Sequence, residues 1–157
     1  MHAKDVMTTE VVVCRPDQAV ADVAGILSER SFRMLPVVED DRKLLGAVNT
    51  LSVLASLVPE YIVTGDLKSI PYAPDFGLLR KHYIELMEHK VTDIMDKAPT
   101  IVHEDESLLS VAAALITYDR FEYAIVVDEQ GRLKGIISSS DILRRLSKIP
   151  QEGGDDA

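Results

Sequence analysis

The chain has 157 residues, 46% hydrophobic and 27% charged, the balance of a soluble globular fold of one domain or two small halves sharing a core. A net charge of −9 with no basic cluster argues against a nucleic-acid surface, which needs cations to displace counterions. No apolar run reaches membrane-spanning length, the amino terminus lacks an apolar signal core, and the lone Cys14 cannot form an internal disulfide, so the chain reads as cytoplasmic with no membrane insertion.

In chain order, the first element is a β-branched run, Val11-Val12-Val13, with Cys14 as a buried residue at its end. Pro16-Asp17 then signals a helix start, with Asp17 placed to cap it. Val20, Val23, Ala24 and Leu27 follow at i, i+3, i+4 and i+7, one apolar helix face. The runs 35–38 and 44–48, split by the polar turn 39–43, read as a hairpin. A closing helix carries Val53, Leu54 and Leu57 on its apolar face. From Pro59 the chain reads as turn and loop, with Gly65, Pro71 and Pro74. From Phe76 it turns helical, with Leu79, Tyr83, Leu86 and Met87 on one side. This segment is a strap back to the next element or, alternatively, a lid or partner-binding helix.

The whole order then returns. Lys4-Asp5-Val6-Met7 recurs as Thr92-Asp93-Ile94-Met95, and Val20, Val23, Ala24 and Leu27 recur as Leu108, Val111, Ala112 and Leu115, all at an offset of 88. One inserted residue later, Phe32 matches Phe121, Val37-Val38 matches Val126-Val127, Gly46 matches Gly135, and Leu54 and Leu57 match Leu143 and Leu146. The second copy therefore has a strand at 100–102, a helix with Asp105 placed to cap it, a hairpin at 123–137, and a closing helix with Ile142, Leu143 and Leu146 on its apolar face. A repeat of about 55 residues is one supersecondary unit used twice, too small to hold a core alone. The unit order is strand, helix, strand, strand, helix.

These residues resemble a tandem pair of CBS motifs, the Bateman module. The marks are Asp5-Val6-Met7 and Asp93-Ile94-Met95, Leu35-Pro36-Val37-Val38, and the run Gly135-Ile136-Ile137-Ser138-Ser139-Ser140-Asp141-Ile142-Leu143. The resemblance implies an α/β (α+β) fold of two βαββα motifs, packed sheet to sheet about a pseudo-twofold axis. Motif 1 spans 1–58, a linker with a helix 59–89, motif 2 90–148, and a disordered acidic tail 149–157. It implies a regulatory module, not an enzyme, with no required cofactor. Its regulatory ligand would be AMP, ADP, ATP or S-adenosylmethionine, held in a cleft between motifs. Such pairs form a homodimer, a four-motif disc, and a chain this short would modulate a separate partner protein.

In the family, a hydroxyl residue after the last strand contacts phosphate, and an Asp three residues on accepts from both ribose hydroxyls. Copy two matches with Ser138 and Asp141, and Ser140 lies between them. Adenine would lie among Thr100, Ile101, Tyr123, Ala124 and Ile125. A carboxylate suits a vicinal diol because each oxygen can accept one hydrogen bond, and a helix amino terminus suits phosphate. Copy one departs from the pattern, with Asn49 and Ser52 in those places, so a second site using Arg33, Asn49 and Ser52 would be weaker or lost.

Glu122 stands where copy one has Arg33, which favours a ligand with few phosphates or S-adenosylmethionine; Lys97, His103 and Arg120 are the cations that could compensate. The same Ser138-x-x-Asp141 is also a capping box, which would stabilise the last helix by about 1 kcal/mol without any ligand. A ligand-free dimerisation or protein-interaction module is therefore the alternative. His103-Glu104-Asp105-Glu106 has metal-ligand types, but its adjacent spacing suits a helix start better than a coordination sphere. No nucleophile–base pair or glycine-rich phosphate loop appears.

Overall fold

Two compact units divide the chain in the computed structural model, which describes residues 1–29, 32–65, 76–118 and 122–150. One unit is Val12–Ala98; the other joins Met1–Val11 to the chain from Pro99 onward. The leading segment of each sequence repeat thus belongs to the unit built from the other repeat. Pro71, Pro74, Arg120, Phe121 and the acidic residues 151–157 lie outside the described residues.

In the first unit, α2 (Val20–Glu29) buries Val20, Val23 and Leu27, the face its periodicity predicts. It packs with β1 (Met34–Val38), β2 (Leu44–Asn49) and α3 (Thr50–Leu57) around Leu35, Val37, Val48 and Val53. Asp17 does not cap α2, which begins three residues later. Backbone carbonyls do so instead: Val20 N–H donates to His89 O at 2.8 Å and Ala21 N–H to Met87 O at 3.3 Å. The loop expected from Pro59 contains a short helix, α4 (Glu60–Thr64), before α5 (Phe76–Leu86). Helix α5 lies against α3, where His82 Nδ1 meets Leu57 O at 3.0 Å and Leu86 joins the core, while Leu79 and Tyr83 remain exposed.

The second unit contains α1 (Ala3–Val6), β3 (Ile101–His103), α6 (Leu108–Thr117), β4 (Tyr123–Val127), β5 (Leu133–Ser138) and α7 (Ser139–Ser147). Its sheet runs β3-β4-β5, the first pair parallel and the second antiparallel. Val102, Ala124, Val126 and Ile137 form the face packed with Val111 of α6 and Ile142 of α7. Ser107, not Asp105, caps α6 by accepting from Ser110 N–H at 3.1 Å. Asp105 instead takes Lys4 Nζ at 2.8 Å, an exposed pair that holds the lysine's pKa up and the carboxyl's down. Leu143 and Leu146, expected on the core face of α7, are exposed, as is Leu54 on α3. Ile149, assigned to the tail, still donates its N–H to Leu146 O at 3.2 Å.

The strand expected at Val11-Val12-Val13 shrinks to a single bridge, Cys14 with Val37. Two prolines account for this. In the other unit the ladder is closed at its ends by Ile125 N–H to Thr100 O at 2.9 Å and Glu104 N–H to Val127 O at 3.0 Å. The repeat places Pro36 at the position of Ile125 and Pro16 at that of Glu104, and neither has an N–H to give. Only the two central bonds survive, Cys14 N–H to Pro36 O and Val38 N–H to Cys14 O.

Cys14 is fully buried in that remnant, and desolvation pushes its thiol pKa up to about 11. Native protein at pH 8 should therefore resist a disulfide reagent for hours and react at once in urea. Rapid labelling without denaturant would mean the remnant strand opens freely.

Asp128 organises the β4–β5 turn. Its Oδ1 accepts from Arg132 N–H and Gln130 N–H, both at 2.9 Å, which lowers its pKa, the Arg132 N–H foremost. A carboxyl lowered on folding stabilises above its unfolded pKa of about 3.9 and loses that contribution as pH falls through the folded value. Urea midpoints of the wild type should exceed those of Asp128→Asn at pH 7, with the gap closing below about pH 4. A gap that persists at pH 2 would assign the effect to packing.

Candidate functional site

The site residues of copy two lie where β5 hands over to α7. Ser138 is the last residue of the strand and the N-cap of the helix, and it is buried. Its Oγ accepts from Asp141 N–H at 3.1 Å, and Asp141 Oδ2 accepts from Ser138 N–H at 2.9 Å. Asp141 Oδ1 accepts from the Arg144 guanidinium at 3.3 Å. The capping reading of this pair is therefore realised, and both carboxylate oxygens are engaged. Glu122, at a left-handed φ of 60°, turns its carbonyl to Ser139 N–H at 3.1 Å. Among the described residues, no group outside α7 takes the Ser140 N–H, and Ser140 is exposed.

Strand register adds the apolar part. Tyr123 lies opposite Ser138, and Ile101 opposite Ile125, so Ile101, Tyr123, Ile125 and Ser138 share one face of the sheet. Tyr123 is half-buried, Ile101 is 47% exposed, and Ile125 has no exposed surface. Ala124 points to the opposite face, in the core with Val126 and Ile137. Thr100 contributes its carbonyl to Ile125 N–H. Of the predicted set, the structure gathers Ile101, Tyr123, Ile125, Ser138 and Asp141, and turns the Ala124 side chain away.

Copy one repeats the geometry with neutral groups. Ser52 N–H donates to Asn49 Oδ1 at 2.9 Å, and Asn49 N–H to Ser52 Oγ at 3.2 Å. Asn49 is 2% exposed and lies opposite Met34, with Arg33 just before that strand. The helix cap is kept and the carboxylate is gone.

A hollow of about 150 Å³ opens beside Asp141, lined by Asp5, Val6, Arg144, Arg145 and Lys148. Sequence reading missed these three cations. Their signal was the spacing 141, 144, 145, 148, one face of a helix. Asp5 is held below the usual carboxylate range by His2 N–H, which donates to its Oδ2 at 2.8 Å. A larger hollow of about 480 Å³ in the other unit is lined by Arg15, Pro16, Asp17, Glu39, Asp40 and Asp41. Arg15 there is tied to Asp40, so the rest of that surface repels phosphate. No helix among the described residues is long and apolar enough to cross a membrane.

The model of the CBS domain family matches residues 3–58 and 91–148. The chloroplastic CBS domain-containing protein CBSX2 of Arabidopsis thaliana is 28% identical over 144 residues, 89% of this chain and 60% of CBSX2. Inosine-5'-monophosphate dehydrogenase of Mycobacterium bovis (strain ATCC BAA-935 / AF2122/97) is 28% identical over 139 residues, 88% of this chain and 21% of the enzyme. The chain thus spans about a fifth of the dehydrogenase and under two thirds of CBSX2. Among solved structures, a CBS domain-containing protein from Bacillus anthracis str. Ames Ancestor superposes with a TM-score of 0.74 at 18% identity, covering 95% of this chain and 94% of that one. CBSX2 in complex with AMP superposes with a TM-score of 0.71 at 26% identity, covering 94% and 97%.

Proposed function

This chain belongs to the CBS domain family, and from that premise we propose that it is a regulatory module that senses an adenosyl ligand and modulates a partner protein. The ligand class is AMP, ADP, ATP or S-adenosylmethionine. The observation that carries this reading is the Ser138–Asp141 pair at the opening of α7, with Tyr123 opposite Ser138 in the sheet. In it Asp141 exchanges its Arg144 contact for the ribose hydroxyls, Ser138 and Ser140 face phosphate, and Ile101 and Tyr123 lie along the adenine. The AMP complex of CBSX2 supports the ligand class. The counterpart at Arg33, Asn49 and Ser52 binds weakly or not at all, because a serine hydroxyl cannot clamp a diol.

Ligand binding regulates only by favouring one arrangement over another. Leu143 and Leu146, exposed on α7, supply an apolar surface that a second copy would bury, at about 1.5–3 kcal/mol per side chain. A homodimer is thus part of the proposal, as is a cytoplasmic location, which the single free Cys14 fits. Calorimetric titration with AMP, ATP and S-adenosylmethionine tests the central reading. Micromolar binding of at least one is expected; no heat and no thermal shift with any of them would leave the ligand-free interaction module.

A further inference from the structure

The hollow between α1 and α7 is more cationic than the cap beside it requires. Asp141, Arg144 and Arg145 lie along one face of α7 and Lys148 is its C-cap, with Asp5 and Val6 of α1 facing them across the hollow. Its two carboxylates are already engaged, Asp5 by His2 N–H and Asp141 by Ser138 N–H and Arg144. Among the described residues, Arg145 and Lys148 have no anionic partner. Cations in the last turn of a helix do complement its dipole. That accounts for their presence on α7, but not for a hollow that runs from them to the carboxylate at the first turn.

At about 150 Å³ the hollow is smaller than the roughly 300 Å³ at which whole-ligand pockets begin. It fits one polar end of a ligand whose remainder lies elsewhere. We propose that this α1–α7 groove takes the outer phosphates of the nucleotide whose ribose Asp141 holds and whose first phosphate faces Ser138 and Ser140, with Arg145 and Lys148 as contacts to those outer phosphates and Arg144 released to join them. The assignment rests on the adenosyl reading of Asp141 and deepens it. It selects ATP or ADP over S-adenosylmethionine, whose sulfonium brings a positive charge to the same place, and reverses the preference drawn from Glu122 alone.

The test is calorimetry with ATP, adenosine and inorganic tripolyphosphate on the wild type and on Arg145→Gln/Lys148→Gln. Both positions are exposed, so the double variant should fold. Wild type should bind ATP at least 10-fold more tightly than adenosine, with the advantage shrinking as salt rises. The variant should lose that advantage and keep its adenosine affinity. Equal affinities for ATP and adenosine in the wild type, or an ATP affinity untouched by the double variant, would overturn the groove and leave the nucleoside reading standing. If neither nucleoside binds, the adenosyl reading fails, and tripolyphosphate decides the groove alone: heat seen only with the wild type keeps it as a phosphate site, and no heat ends it.

Discussion

Gly135→Ala should destabilise the protein by about 3 kcal/mol, near the top of the usual range for forcing atoms into a packed site. A Cβ at that position would sit 2.6 Å from Thr8 O and 2.8 Å from Met7 Sδ. The sulfur could swing aside, but the carbonyl could not. Thr8 O accepts from Ile136 N–H at 3.0 Å while Thr8 N–H donates to Ile136 O at 2.8 Å, so the leading segment is pinned to the strand at the point of collision. Gly46 stands in the same relation to Asp96, whose backbone is bonded in both directions to Ala47. Gly25, within α2, is the control: nothing lies within 4 Å of its missing Cβ. Gly25→Ala should therefore stabilise by about 0.5–1 kcal/mol through helix propensity alone. Urea unfolding of the two variants beside the wild type gives the test. A Gly135→Ala midpoint equal to wild type would mean the crossing of segment and strand is looser than the backbone bonds imply.

Those glycines show what a sequence can and cannot convey about this fold. Their recurrence, with the Met that lies over each, is plain in the repeat; that Met7 crosses Gly135 of the opposite repeat, and Met95 crosses Gly46, is a long-range pairing that no local pattern encodes. The amphipathic faces of α2 and α6 were legible because burial on one side imposes a period, and the hairpins because two continuous apolar runs flank a polar turn. The closing helices misled for the same reason. Leu143 and Leu146 follow the helical period, yet they face outward, because periodicity reports an apolar stripe and not what covers it. The clipped strand at Cys14 was legible in principle. Pro16 and Pro36 are both visible, but only the register of the intact ladder shows that each removes a needed donor. In the candidate site, the Ser138–Asp141 cap was legible in its spacing and its ligand role is an expectation from the family resemblance alone, whereas the grouping of Arg145 and Lys148 with Asp5 shows only once α1 is known to lie beside α7.

The observed cap and the proposed ligand site use the same two residues, and copy one supplies the means to separate them. Ser138→Asn with Asp141→Ser would install in α7 the box that Asn49 and Ser52 already form at α3, with matching reciprocal bonds. Thermal stability should fall by less than about 1 kcal/mol, since one good cap replaces another and the lost contact to Asp141 comes from an exposed Arg144 at a long 3.3 Å. Binding should behave very differently. A carboxylate bonded to both hydroxyls of a ribose contributes about 1.5–3 kcal/mol per bond, so adenosyl affinity should drop at least ~100-fold. A swapped protein that unfolds would show that Asp141 is chiefly structural and that copy one's box is weaker than its geometry suggests. One that folds and binds as tightly as wild type would remove Asp141 from the ligand site and leave it a helix cap. Folding retained with binding lost is the expected result. It would mean that the duplication kept the structural half of this motif in both copies and the charged half in one.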